Sequence, residues 1–153
     1  MQLTSTAFSE GGPIPAKHTC DQKDVSPALK WTGVPAGTRS LVLIVDDPDA
    51  PVGTWVHWVL YDLPGTATEL AEGTPKTPTL ANGARQGQND FKRPGYGGPC
   101  PPPGKAHRYF FKLYALDAPL DLKPGATKKE VERAMGQKKI LAQAQLMGTY
   151  QRR

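Results

Sequence analysis

The strands show first, as runs in which apolar positions crowd or alternate. Residues 40–46 (SLVLIVD) form a β-branched apolar run that stops at DDPDAPVGT, where Asp, Pro and Gly favour a turn or loop. A second run, 54–61 (TWVHWVLY), is aromatic and β-branched and ends at DLPG. Period two places Trp55, His57, Val59 and Tyr61 on one of its faces and Val56, Trp58 and Leu60 on the other, both largely buried. A third run, 107–116 (HRYFFKLYAL), sets His107, Tyr109, Phe111 and Leu113 on one face, and 140–147 (ILAQAQLM) alternates as a closing strand.

Between the second and third runs the text is mostly Gly, Pro, Thr and Asn, with short strands hinted near 82–86. Loops this long inside a compact domain usually serve a function. One helix is predicted near the C-terminus: Thr127 caps it, Glu130 completes a capping box, and Val131, Ala134 and Met135 mark its buried stripe. The expectation is a mainly β fold.

Composition bounds this picture. A chain of 153 residues suits one domain with a sizeable core, so a single domain over 1–153 is expected. Gly and Pro, 16 each, point to many turns, yet apolar residues are spread throughout, which argues against disorder. No apolar run approaches a membrane span, and MQLTSTAFSEGG lacks the basic and apolar regions of a signal peptide, so a soluble, cytoplasmic protein is expected. The net charge of +5 comes from scattered basic residues, a solvated surface and not a nucleic-acid stripe. Cys20 and Cys100 lack any CxxC or Cys/His metal spacing and are expected as thiols in a reducing cytosol.

If 40–46 and 54–61 pair across DDPDAPVGT, Asp47 and Asp49 come near His57, and His107 opens its own strand on the same rim. The segment GPCPPPGKAH just before His107 would then wall a pocket: proline has little freedom to lose when a ligand binds, and Gly104 lets the backbone turn into the histidine. Two imidazoles with a carboxylate can hold a phosphate oxygen. Because a carboxylate repels an anion, Asp47 or Asp49 either stands behind a histidine or holds the cationic end of a zwitterionic headgroup. A hydrolase using His57, His107 and Asp47, with Cys100 as a further candidate, is the alternative, opposed by the absence of an evident activated nucleophile. No tight ligand spacing predicts a metal or cofactor.

DDPDAP, then WVHWVLYDLP, then GPCPPPGKAHRYFFKLYALD resemble the two signature blocks of the phosphatidylethanolamine-binding proteins, in particular their bacterial and archaeal Raf kinase inhibitor-like branch. IPAKHTCD, SPALKW, QGQNDFKRPGYGGP, GATKKEVERAM and ILAQAQLMGTY extend the likeness over nearly the whole chain. The resemblance implies a large central antiparallel sheet packed with a smaller one and an anion pocket at one end. Its residues would be Asp47, His57, His107 and Tyr109, with Trp55 as neighbour and the loop from Pro99 through Pro101 to Pro103 as wall. It further implies phosphate, phosphorylated headgroups or acetate-like anions as ligands, a protein partner such as a kinase, and a homodimer. One departure stands out: relatives commonly carry Gly-His before the final strand, where this chain reads GQKKILA and places Lys139.

Overall fold

The computed structural model describes residues 1–153 and arranges the chain in two antiparallel sheets, with all four long runs in the larger one. In chain order the elements are β1 (Gln2–Thr4), β2 (Leu29–Thr32), β3 (Ser40–Asp47), β4 (Trp55–Pro64), β5 (Glu69–Leu70), β6 (Arg85–Gln86), β7 (His107–Leu116), α1 (Lys128–Met135) and β8 (Ile140–Tyr150), with a 3-10 turn at Ala16–His18. The large sheet runs β6-β4-β3-β7-β8 and the small one β1-β2-β5. This is the mainly β architecture expected, with its one short α-helix near the C-terminus.

β3 lies at the centre of the large sheet, and all eight of its residues are buried. Its odd positions Leu41, Leu43 and Val45 pack with Phe111 and Leu113 of β7 against Leu3, Leu29 and Trp31 of the small sheet. Val42 and Ile44 face the other way, joining Val59 and Tyr61 beneath Val131 and Met135 of α1. A sheet buried on both faces needs such continuous apolar runs, and each side chain fully buried is worth about 1.5–3 kcal/mol. The helix begins as expected, with the Thr127–Glu130 capping box formed, and Asp46 ties it to the sheet by accepting from Lys128 and Lys112.

Two bulges in β4 break the period-two expectation. Leu41 faces Leu63 while Leu43 faces Leu60, so β4 carries one residue more than β3 there. Asp62 takes up the slack at φ 54°, and its carboxylate accepts from the backbone of Leu120 and Asp121. The strand consequently runs past Tyr61, its expected end. The second bulge has more effect: Val45 faces Trp58 and Asp46 faces Val56, which leaves His57 unopposed. Val56 therefore packs with Val59 and Tyr61, and not with Trp58 and Leu60 as strict alternation predicts. An extra residue flips the side-chain order beyond it, and this turns Trp55 and His57 toward the face that carries His107 and Tyr109.

Candidate functional site

The second bulge is held by a loop. Val56 donates its N–H to the Asp90 carboxylate at 2.7 Å, and Asp90 returns its own N–H to the Val56 carbonyl at 2.9 Å, so the groups freed by the bulge stay paired. Asn89, next to it, is buried; its Oδ1 accepts from Phe91 N and its Nδ2 donates to Gly95 O, shaping the turn that presents Phe91. Phe91 meets the His57 ring edge-on at 5.5 Å between centroids and the Trp55 ring at 5.6 Å. On its other side His57 meets Tyr109 at 5.2 Å and 81°.

Both histidines are buried and fixed through Nδ1. His57 Nδ1 lies 2.6 Å from Gly97 O, and Gly97 N donates back to His57 O. A carbonyl only accepts, so Nδ1 carries the proton. His107 Nδ1 lies 2.8 Å from Asp47 Oδ2, while Asp47 Oδ1 accepts from Asp49 N at 2.7 Å. The same reasoning gives this ring Nδ1–H, and leaves Nε2 of each neutral ring as a bare acceptor. Burial lowers the pKa of His57, partly countered by its bond to Gly97 and by the Asp47 charge. The Tyr109 hydroxyl is buried without a hydrogen-bond partner; burial, with the nearby Asp47 charge, raises its pKa and keeps the phenol protonated.

These groups line a cavity of about 230 Å³ at the end of the large sheet. Asp47, His57, His107 and Tyr109 supply its polar surface, and Trp55, Phe91, Pro101 and Pro102 are among its apolar walls. Of the residues singled out from the sequence, Asp47, Trp55, His57, Pro101, His107 and Tyr109 come together here. Asp49 does not. Arg108 grips it through Nε at 2.9 Å and Nη2 at 2.8 Å, with the Arg108 backbone N–H adding a third bond, and that grip holds its carboxyl down to about 2. Pro99 also lies outside the cavity lining, its carbonyl accepting from Cys20 N at 3.1 Å.

Phe91 and the Ala50–Val52 stretch line the cavity without having been singled out. Phe91 had a signal, as an isolated aromatic in an otherwise polar, turn-forming segment; Ala50–Val52 read only as a turn.

The cysteine expectation is corrected. Cys20 and Cys100 form a disulfide, 5.4 Å between Cα atoms and 80 residues apart in sequence. The segment after the 3-10 turn lies against the loop that precedes β7: Tyr96 donates its hydroxyl to His18 O, Asp24 accepts from Gly98 N, and Cys20 N reaches Pro99 O. The close approach requires glycine at 98, since a Cβ there would stand 2.1 Å from His18 O. Cys100 is thus a bonded wall residue of the cavity and not a free nucleophile. Lys139 is far from all of this. It precedes β8 beside Asp117, at the end of the sheet opposite to the Tyr150–His107 pair, so it takes no part in the pocket.

Comparison with known proteins agrees with the fold. The family model described as phosphatidylethanolamine-binding protein matches residues 4–151. A protein of Aquifex aeolicus named UPF0098 protein is 54% identical over 154 residues, covering 99% of this chain and 89% of that one. Another of that name in Methanothermobacter thermautotrophicus is 50% identical, over 99% of both. Among solved structures, a phosphatidylethanolamine-binding protein homologue of Chlamydia trachomatis, CT736, superposes with a TM-score of 0.89 at 44% identity, over 99% of this chain and 97% of that one. E. coli YbcL, described as a member of the mammalian PEBP family, gives 0.91 at 34% identity, over 99% and 98%.

Proposed function

Since the chain belongs to the phosphatidylethanolamine-binding protein family, we propose that it is a non-enzymatic binding protein whose pocket takes a small phosphate-bearing or carboxylate-bearing anion, such as a phosphorylated headgroup, and that ligand occupancy regulates a signalling partner such as a kinase. The observation that carries this reading is the set of polar atoms left over. Both imidazoles are anchored through Nδ1, and the Tyr109 hydroxyl is buried with no protein partner. A buried hydroxyl without a partner costs about 1–3 kcal/mol, a cost that a bound oxyanion would remove.

Asp47 acts from behind His107 in this reading. Its two oxygens are already engaged by His107 Nδ1 and Asp49 N, so it fixes the ring and turns Nε2 to the ligand. A cavity of about 230 Å³ is small for a ligand site, which suits a headgroup in preference to a whole lipid. No helix is long and apolar enough to cross a membrane; a cytoplasmic setting and a homodimer belong to the proposal.

A ligand-detected NMR screen of inorganic phosphate, phosphoethanolamine and acetate tests binding. A parallel esterase and phosphatase panel, with elemental analysis, tests the absence of turnover and of a stoichiometric metal. Binding that survives loss of both imidazoles would remove the pocket from the mechanism. Turnover that vanishes with His57 or His107 would replace the binding reading by the hydrolase one.

A further inference from the structure

We propose that the Cys20–Cys100 disulfide is a redox-active site, opened by a thiol reductant, and that opening it weakens the anion pocket it walls; the second half rests on the function proposed above. Three observations place the bond apart from a sealed structural staple. Cys100 is exposed and lines the cavity, next to Pro101 and Pro102, while Cys20 is only half-buried. Exposed disulfides are the ones thiol reductants reach. Arg152 Nη1 donates to Cys100 Sγ at 3.8 Å, and its Nη2 is 3.0 Å from Asp21 Oδ1, which steadies the guanidinium beside the sulfur. A cation at that distance favours the thiolate and makes Cys100 the better leaving group.

The reaction is an exchange. A reductant thiolate attacks Cys20 Sγ and forms a new S–S bond to it; the Cys20–Cys100 bond breaks, and its electron pair leaves on Cys100 Sγ as a thiolate facing Arg152. With a dithiol reductant, the second reductant thiolate attacks the reductant's own sulfur in the mixed disulfide. Cys20 is expelled as a thiolate and takes up a proton. The dithiol loses two electrons and becomes a disulfide, and the protein's disulfide becomes a Cys20 thiol and a Cys100 thiolate.

Two consequences reach the pocket. The loop before β7 loses its only covalent tie to the 16–25 segment and keeps the hydrogen bonds Tyr96–His18, Gly98–Asp24 and Cys20–Pro99. The wall also gains a negative charge at Cys100, where the anion is to sit, and like charges at such range oppose each other.

Amide correlation spectra titrated with inorganic phosphate, before and after excess dithiothreitol, test this while following peaks of folded protein alone. The expected result is a Kd raised roughly fivefold on reduction and restored on reoxidation, with no response in the Cys20→Ser/Cys100→Ser double variant. Arg152→Gln is expected to slow reduction several-fold. Persistence of the disulfide in excess dithiol, unfolding on reduction or an unchanged Kd would overturn the inference. Amide exchange at Gly98, Cys100 and Gly104, the residues of this loop that carry an N–H, measured without phosphate, separates it from the reading beneath: if oxidised protein ignores phosphate, that reading fails, while faster exchange on reduction still supports a redox-active wall and unchanged exchange overturns it.

Discussion

His107 and Asp47 join the first residue of β7 to the last of β3 through a 2.8 Å contact between Nδ1 and Oδ2. Both residues are buried. The contact sets what the ring can do: with Nδ1–H committed to a carboxylate, Nε2 is the only polar atom His107 can offer, and it donates only when the ring is charged.

His107→Asn separates the two jobs of this ring. Asn reaches about as far as Nδ1 and has a donor to give Asp47, but has nothing in place of Nε2. We expect it to fold nearly as stably as wild type and to lose phosphate binding. His107→Ala should lose binding as well and, by leaving the Asp47 oxygen unpaired, cost about 1–3 kcal/mol. Phe111→Ala, deeper on the same face and packed on Phe8 at 5.5 Å between centroids, should cost about 3–5 kcal/mol while its folded fraction still binds. Denaturant melts and phosphate titrations of all three check this; binding retained in His107→Asn would remove Nε2 from the site.

Acid should act on His57 in both the free and the bound protein. Its folded pKa is lowered, chiefly by burial. The neutral ring is therefore the native form, and its stabilising contribution is complete above the unfolded value of about 6.5 and is lost as pH falls below it through the folded pKa. An anion reverses the preference, because Nε2 must be protonated to donate to it. Phosphate affinity is expected to rise as pH falls through the pKa that His57 takes in the bound protein, with net proton uptake on binding. Calorimetry in buffers of different ionisation enthalpy measures that uptake, and its absence would mean that the ligand brings its own proton.

The sequence disclosed the four long strands of the large sheet, the capping box and most of the pocket, because apolar period and turn chemistry are local signals; the short strands β1, β2 and β5 carry too few residues to show a period. What it hid was non-local. His57 was expected on the face of Val59 and Tyr61; an extra residue in β4, stabilised by Asp90 from 34 residues away, puts it over Tyr109. Asp49 looked equivalent to Asp47, and only the register of β7 shows Arg108 claiming it. The disulfide joins residues 80 apart and could not be read from spacing.

The Asp49–Arg108 pair offers a contrast in pH behaviour. The Asp49 carboxyl, held down to about 2 by its bonds to Arg108, contributes stability that is complete above its unfolded value of about 3.9 and is lost as pH falls through about 2. The pair is partly exposed, so solvent screens it and its worth is small. Arg108→Ala should therefore lower stability slightly at pH 5 and converge with wild type near pH 2, with phosphate affinity little changed because Asp49 lies outside the cavity. Paired denaturant melts across that range, with a phosphate titration at pH 6, check both halves. A large loss of binding would return Asp49 to the site.

Tyr109→Phe provides the most direct test of what the cavity is for. The Tyr109 ring is buried between His57 and the core, and its hydroxyl has no partner. Were the tyrosine only a packing residue, its hydroxyl would be a defect of about 1–3 kcal/mol, and phenylalanine would correct it at no loss of function. If the hydroxyl waits for an anion, phenylalanine should still stabilise the free protein, but phosphate should then bind more weakly, by the roughly 1.5–3 kcal/mol of a hydrogen bond to a charged group. The two effects have opposite signs, so general damage to the fold cannot imitate them. A raised melting temperature without ligand, together with a smaller phosphate-induced rise than wild type shows, is the expected result. An unchanged phosphate-induced rise would leave the hydroxyl as packing and the anion, if bound, on the imidazoles alone.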